Sequence, residues 1–279
     1  MNKVFILGPE GTFSSMVYDR LDDYRADYEK VLIKSIPEIF VHLLNVENSL
    51  GVIPIENRSI GFIGLSQENL QLHDVEVIAE LNMDVYFSLV ANTASTEIKN
   101  LYAFQVSLNQ CSEFLYKDIN FSKHVETSSN IDSFSRFESE QLPDSAAIVP
   151  TPFSYSEQLS SKFHVKNCIQ NDPENSTRFL IIRKKDPSLR FDFNKRKTTI
   201  FIDTKNDRPS LLYDILTQFN EFKINLTSLH STPSKKNRGS YGFFIDFLNV
   251  DAESTKKCMK RIKSLDVNFQ LFGAYDNIE

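Results

Sequence analysis

The 279 residues carry 31 basic against 37 acidic side chains, a net charge of -6, with 41% hydrophobic and 24% charged residues. That balance is ordinary for a soluble globular chain, and it excludes the dense basic face that general nucleic-acid or anionic-membrane binding requires. The length exceeds one typical core, so two or three folding units are expected.

Cys111, Cys168 and Cys258 are scattered and odd in number, which argues against a disulfide framework or a structural zinc and fits a reducing cytosol. The five histidines show no metal-ligand spacing. Val4-Phe5-Ile6-Leu7 is too short for the apolar core of a signal peptide, and no apolar run is long enough to span a bilayer. A cytoplasmic protein is expected.

Residues 3–7 read as a buried strand that ends in Gly8-Pro9-Glu10-Gly11-Thr12-Phe13-Ser14. The helix after it sets Phe13, Met16, Val17 and Leu21 on one face. Strand, glycine-containing turn and helix start would aim backbone N–H groups and the hydroxyls of Thr12 and Ser14 at one spot suited to an anion. A plain turn with a Ser/Thr cap has the same signature. A strand at 31–36 and a helix at 37–44 lead to the strand 50–55, which runs into Glu56-Asn57-Arg58-Ser59. Pro54 removes a ladder donor inside that apolar run and predicts an edge or a bend that re-aims Glu56 and Asn57. Asn57 satisfying a turn is the other reading.

A helix is expected over 61–72, two strands over 75–91 with a break near Asn82, a strand at 101–106 and a helix at 107–116. Strands near Val125 and at 146–149 alternate with helices at 131–137 and 152–159. Asn175-Ser176-Thr177 then runs through Arg178 into Phe179-Leu180-Ile181-Ile182, an apolar run that reads as a buried strand. Thr177 and Arg178 stand at its mouth, and strand ends are where ligands bind in open α/β sheets. β-Propensity plus a solvated charge gives the same pair of residues. The alternation predicts parallel sheet covered by helices, in two lobes with a cleft between them.

Residues 183–196, with Pro187 and six basic residues against two aspartates, read as a solvated linker. Beyond it the expected order is strand 197–203, helix 209–222, strands 224–230 and 241–249, helix 253–265 and strand 267–274. That is a ferredoxin-like βαββαβ unit.

Gly8-Pro9-x-Gly11-Thr12-Phe13-Ser14, Gly51-Val52-Ile53-Pro54-Ile55-Glu56-Asn57 and Asn175-x-Thr177-Arg178-Phe179, in that order and followed by the βαββαβ tail, resemble prephenate dehydratase over essentially the whole chain. The resemblance implies an α/β fold with three parts. Residues 1–182 form a two-lobed catalytic region similar to a periplasmic-type ligand-binding protein, 183–196 a linker, and 197–279 an ACT regulatory domain. It implies conversion of prephenate to phenylpyruvate with loss of carbon dioxide and water, and no metal or organic cofactor.

Thr177 is then the catalytic residue, giving a hydrogen bond or proton to the leaving hydroxyl. Arg178 pairs with a substrate carboxylate or holds the strand end, Phe179 buttresses the site, and Asn57, Glu56, Thr12 and Ser14 complete the substrate pocket. The resemblance also implies phenylalanine as effector, bound by Pro209, Ser210, Leu211 and Leu212 with His230, Ser231, Thr232 and Pro233 at a subunit interface of a homodimer or homotetramer. The chain departs from the family pattern at Arg58, Ile60 and Phe62, and lacks a Ser-His-Pro stretch ahead of Gln110-Cys111. It also carries Ser210 for a usual Gly, and His230-Ser231-Thr232-Pro233 for Glu-Ser-Arg-Pro. A non-catalytic two-lobed ligand sensor of the same fold and an arogenate dehydratase therefore stand beside the first reading.

Overall fold

The computed structural model describes residues 1–278 except 156, 189, 205–207 and 236–239. The expected helix at 152–159 and the linker at 183–196 each include one residue outside that set. The chain begins β1 (Asn2–Leu7), α1 (Phe13–Met16), α2 (Asp22–Arg25), β2 (Tyr28–Ile33), α3 (Ile36–Asn45), β3 (Leu50–Asn57), β4 (Gly61–Phe62), α4 (Gly64–Leu72) and β5 (Val75–Asp84). It continues with β6 (Phe87–Ala91), β7 (Glu97–Ala103), α5 (Gln105–Gln110), α6 (Ser112–Asp118), β8 (Asn120–Glu126), α7 (Asn130–Glu140), β9 (Ser145–Pro150), α8 (Thr151–Ser154), α9 (Glu157–Lys162) and β10 (His164–Lys166). Then come β11 (Ser176–Lys184), β12 (Lys197–Thr204), α10 (Leu211–Glu221), β13 (Leu226–Pro233), β14 (Tyr241–Leu248), α11 (Ala252–Lys263) and β15 (Val267–Asn277).

These strands make two sheets of a mixed α/β fold, one ordered β13-β14-β12-β15-β5-β11-β3-β1-β2 with β4 added on β3, the other β10-β6-β9-β7-β8. Local chemistry accounts for the elements. In α3, Ser35 caps the first turn by accepting from the Glu38 N–H, Pro37 sits where no donor is needed, and Ile36, Ile39, Phe40 and Leu43 form the buried stripe. In β11 the apolar run alternates between two cores: Leu180 and Ile182 pack with α3 residues, Phe179 and Ile181 with Val4, Ile6 and Val17. Among the described residues no helix is long and apolar enough to cross a membrane.

Several expectations are corrected. The first sheet is not parallel throughout: β1 is parallel to β2 and β3, but β11 is antiparallel to both of its neighbours, β3 and β5. β3 is an interior strand, so Pro54 marks a bend rather than an edge: register shifts so that Arg178 pairs with Glu56 and Phe179 with Pro54, skipping Ile55. β5 runs unbroken past Asn82 to Asp84, and the break lies at Val85–Tyr86, where the chain crosses to the second sheet. Residues 183–184 belong to β11, and Phe193 of the supposedly solvated stretch is buried in the core of the C-terminal unit.

That unit, β12 to β15 with α10 and α11, has the expected βαββαβ order. Its helices cover one face, where Leu211, Ile215, Phe219, Met259 and Ile262 meet Ile200, Ile202 and Ile245. The other face carries Phe201, Phe244, Phe272 and Tyr275 into one cluster with Val75, Val77, Leu180 and Ile182 of the first sheet. β15 also pairs in parallel with β5 through Asp276 and Asn277.

Two substitutions test this packing. A Cβ at Gly273 would lie 2.1 Å from the Val77 carbonyl oxygen, and backbone cannot yield as a side chain can. Gly273→Ala is expected to cost about 2–3 kcal/mol in urea unfolding, the upper end for overpacking; an unchanged midpoint would refute the contact. Ser210 precedes α10 at φ +66 with no side-chain capping bond, a conformation that costs a non-glycine residue about 1 kcal/mol or more. Ser210→Gly should raise the thermal midpoint by a few degrees.

Candidate active site

Because β11 is antiparallel to β3, its first residues lie beside the last residues of β3, and Thr177 stands in register with Asn57. Both are buried, at 8% and 4% exposure. Asn57 Oδ1 accepts from the backbone N–H groups of Ser59 (3.0 Å) and Ile60 (3.1 Å). Backbone N–H groups only donate, so they fix which way round the Asn57 amide sits. Its Nδ2 therefore faces the start of β11 and shares its two hydrogens among Thr177 Oγ1 (2.9 Å), Asn175 Oδ1 (3.0 Å) and the Ser176 carbonyl (3.1 Å). Asn57 thus satisfies a turn and reaches Thr177 at once. Since Thr177 Oγ1 is an acceptor in that bond, its own proton points elsewhere, and it has no acceptor among the described residues.

Gln110, at the end of α5, closes the cluster from the layer of the second sheet. Its Nε2 donates to Asn57 Oδ1 and its Oε1 accepts from Asn175 Nδ2, both at 3.3 Å. Gln110 and Asn175 are buried as well. The sequence reading used both only as motif markers. Three amides separated by 50 residues or more carry no local pattern that singles them out.

Arg178 falls on the opposite face of β11, as the period of two requires. There its Nη2 meets Asp246 Oδ2 at 2.7 Å and Glu56 Oε2 at 3.2 Å, and its Nη1 meets Glu80 Oε2 at 3.2 Å. Burial by itself would lower the pKa of this guanidinium, but Asp246, Glu80 and Glu56 hold it above the ordinary arginine value. Lys197 contacts the other oxygen of Glu80, and Thr199 Oγ1 donates to Asp246 Oδ1 at 2.7 Å. Arg178 and Glu56, both expected in the substrate pocket, are engaged here with protein groups. Glu56 pairs with Arg178, and Arg178 in turn pairs with Asp246 of the C-terminal unit, an arrangement suited to holding the strand end. Phe179, two residues on from Thr177, is buried in the core.

The Gly8–Ser14 turn lies against the second sheet's helices. Gly11 sits at φ +83, and a Cβ there would approach Ile131 of α7 at 2.9 Å, so glycine is required both for the backbone and for the fit. Phe13 meets Phe87 of β6 edge-on at 5.4 Å. The Thr12 hydroxyl is consumed locally, accepting from Ser15 N (3.3 Å) and donating to the Pro9 carbonyl (2.8 Å). That is the plain cap, and α1 is only four residues long. Ser14 is half-buried with its hydroxyl unbonded among the described residues.

Arg58 is tied to Asp172 (3.1 Å) and Glu174 (2.7 Å), fastening the segment before Asn175 to the end of β3. Two of the departures from the family pattern touch: His230 of β13 stacks on Phe62 of β4 with ring centroids 4.2 Å apart. The residues expected to bind an effector are not on one face. Leu211, the first residue of α10, is buried in the core on the helix-covered face, whereas His230 pairs with Phe244, whose side chain lies on the face toward the first sheet.

Buried amides around one threonine hydroxyl, at the seam between two α/β sheets, define a two-sheet α/β protein with a polar, uncharged cluster suited to donating one hydrogen bond. Residues 4–187 match the family model described as prephenate dehydratase. A prephenate dehydratase of Methanocaldococcus jannaschii is 32% identical over 280 residues, spanning 99% of this chain and 98% of that one. The solved prephenate dehydratase of Staphylococcus aureus has a TM-score of 0.80 at 26% identity, covering 99% of this chain and 100% of that one. That of Arthrobacter aurescens, in complex with L-Phe, has a TM-score of 0.83 at 22% identity, covering 99% and 90%. The chain belongs to the prephenate dehydratase family, and is an enzyme of the lyase class.

The ion cluster gives a direct test. Removing Arg178 leaves Glu56 and Asp246 without an ion-pair partner and Glu80 with Lys197, among the described residues. Arg178→Gln is expected to destabilise the fold by about 3–5 kcal/mol, the range for an abandoned buried charge. Urea unfolding measures it, and a loss below about 1 kcal/mol would place these groups in water.

Proposed function

We propose that this enzyme converts prephenate to phenylpyruvate, with Thr177 donating a hydrogen bond or proton to the departing ring hydroxyl. The observation that carries the reading is the polarity of the Asn57–Thr177 bond, which keeps the threonine oxygen as acceptor and leaves its proton for an incoming group. Prephenate bears a hydroxyl and a carboxylate at opposite ends of a cyclohexadiene ring. The bond to the carboxylate breaks and releases carbon dioxide; its electron pair enters the ring as the carbon–oxygen bond breaks, and the hydroxide takes a proton to leave as water. The ring becomes aromatic, which supplies the driving force.

The protein's task is accordingly small. It holds the dicarboxylate in place and stabilises charge on one oxygen. A threonine hydroxyl is a poor free acid, so it acts by hydrogen bonding in the transition state, where one preorganised donor is worth about 3–4 kcal/mol. Asn57 strengthens it by donating to Oγ1. In the Gly8–Ser14 turn, the Ser14 hydroxyl is unbonded among the described residues and is the group left to meet a substrate carboxylate.

Residues 1–182 are read as a catalytic region of two lobes, similar to a periplasmic-type binding protein, because the chain crosses between the sheets twice, at 85–86 and at 167–175. The stretch after β11, residues 185–196, is the linker, and 197–279 an ACT-type regulatory unit with phenylalanine as its effector. The strand order β13-β14-β12-β15 with both helices on one face supports that reading, and β13 at the open end of the sheet suits pairing in a homodimer or homotetramer. The enzyme is placed in the cytoplasm.

The test is phenylpyruvate formation from prephenate at neutral to alkaline pH. Wild type is expected to turn over, Thr177→Ala to lose at least about 100-fold in kcat, and Thr177→Ser to keep most of it. Asn57→Asp keeps the turn but presents an acceptor to Thr177, and a loss of similar size is expected. A wild type that binds prephenate without product would be the ligand sensor instead, and preference for arogenate would show as phenylalanine formed faster than phenylpyruvate.

A further inference from the structure

We infer that Asp246 of the C-terminal unit is a positioning residue for the Thr177–Asn57 pair, acting through Arg178, so that the active site is incomplete without that unit. The inference rests on the proposed role of Thr177. Four observations lead to it.

The first concerns neighbours. Arg178 follows Thr177 directly, Glu56 directly precedes Asn57, and the two are paired across the strands and joined by an ion pair at 3.2 Å. The bulge that skips Ile55 removes regular ladder register at this end of β3. Side-chain ties therefore do part of the work that backbone pairing does elsewhere.

The second is the origin of the shortest tie. Asp246 Oδ2 lies 2.7 Å from Arg178 Nη2, nearer than either glutamate, and it comes from β14. Asp246 is itself held: Thr199 Oγ1 gives its single proton to Asp246 Oδ1, so the Tyr275 hydroxyl, 2.5 Å from Thr199 Oγ1, must donate to it. Burial, with Asp246 and Glu80 nearby, raises the Tyr275 pKa well above that of an ordinary tyrosine, which keeps it a donor. The order is Tyr275 to Thr199 to Asp246 to Arg178, all in buried surroundings.

Third, the C-terminal unit also reaches the strands that flank the two active-site strands, β5 beside β11 and β4 beside β3. Lys197 of β12 contacts Glu80 of β5, and His230 stacks on Phe62, whose backbone pairs with Glu56. Ile278 N donates to the Glu80 carbonyl at 2.8 Å. Fourth, neither Arg178 nor Glu56 faces the threonine, so their contribution is to hold the strand ends, and a shift of about 1 Å at such ends can cost about 100-fold in rate.

Asp246→Asn is a clean probe. The cluster has three carboxyl groups, Glu56, Glu80 and Asp246, against Arg178 and Lys197. Removing one acid balances the remaining charges, and asparagine can still accept from Thr199, so the chain retains its fold. Full-length wild type, Asp246→Asn and Arg183→Gln are compared; the last breaks the Arg183–Glu76 pair in the same sheet, away from Thr177. Asp246→Asn is expected to lower kcat for phenylpyruvate at least tenfold with KM within threefold. Arg183→Gln is expected to keep its kcat at an equal or larger fall in Tm. Thr199→Val, which frees Asp246 from its orienting hydroxyl, should show the same split in weaker form.

Amide exchange over 175–179 should quicken in Asp246→Asn while 180–184 stays protected. An Asp246→Asn enzyme within twofold of wild-type kcat, or losses that track Tm equally in both variants, would overturn the inference. Wild type without turnover would remove the functional reading alone, and the exchange pattern still decides: unchanged protection at 175–179 sinks the coupling.

Discussion

β11 enters the first sheet against the direction of β3, and most of the chemistry follows from that reversal. In a parallel arrangement the start of one strand lies at the far end of the sheet from the finish of its neighbour. Reversed, the polar opening of β11 and the polar close of β3 are adjacent, and Thr177 meets Asn57 in register. A stretch that ends a strand and a stretch that begins one, more than a hundred residues apart, become one cluster. The amide of Asn57 is then oriented by two backbone N–H groups that allow no other arrangement.

Strand alternation divides adjacent residues between two environments. Thr177 lies among neutral amides, where a hydroxyl keeps its proton and can direct it. Arg178, one residue on, lies among carboxylates drawn from β3, β5 and β14. Buried ions are expensive to desolvate, and such groups are weak contributors to net stability compared with apolar packing. What they contribute here is a defined geometry, since a guanidinium with its fork engaged on three sides fixes the relative placement of the strands that carry those acids.

The elements were largely legible in the sequence because they rest on local patterns: the alternation in β11, the buried stripe of α3, the βαββαβ order at the end. Thr177 and Asn57 were legible as polar residues at the ends of apolar runs, the first opening one and the second closing one. Strand direction was not, since a buried run has the same composition whichever way it points. The fate of Arg178 was legible only as one of two readings, a substrate partner or a hold on the strand end, because its partner Asp246 lies nearly seventy residues later. Pro54 was read correctly as a disturbance, but whether it bends an interior strand or marks an edge is decided by which strands flank it. Phe193 was lost among charges, and only the helices above it show that it is covered.

The joining of β15 to β5 has a consequence for how the molecule is made. Gln270 donates to the Leu70 carbonyl across 200 residues of chain, and β5 gains its second neighbour only when β15 arrives. During synthesis, N-terminal segments ordinarily begin to fold as they emerge. Here β5 must wait with one side of its backbone unpaired until β15, more than 180 residues later, has been translated. Contacts of such long sequence separation slow folding, and an exposed strand edge is open to pairing with other chains in the meantime. The same late strand then covers the middle of that edge, pairing through Asp276 and Asn277 with Ala79 and Glu80.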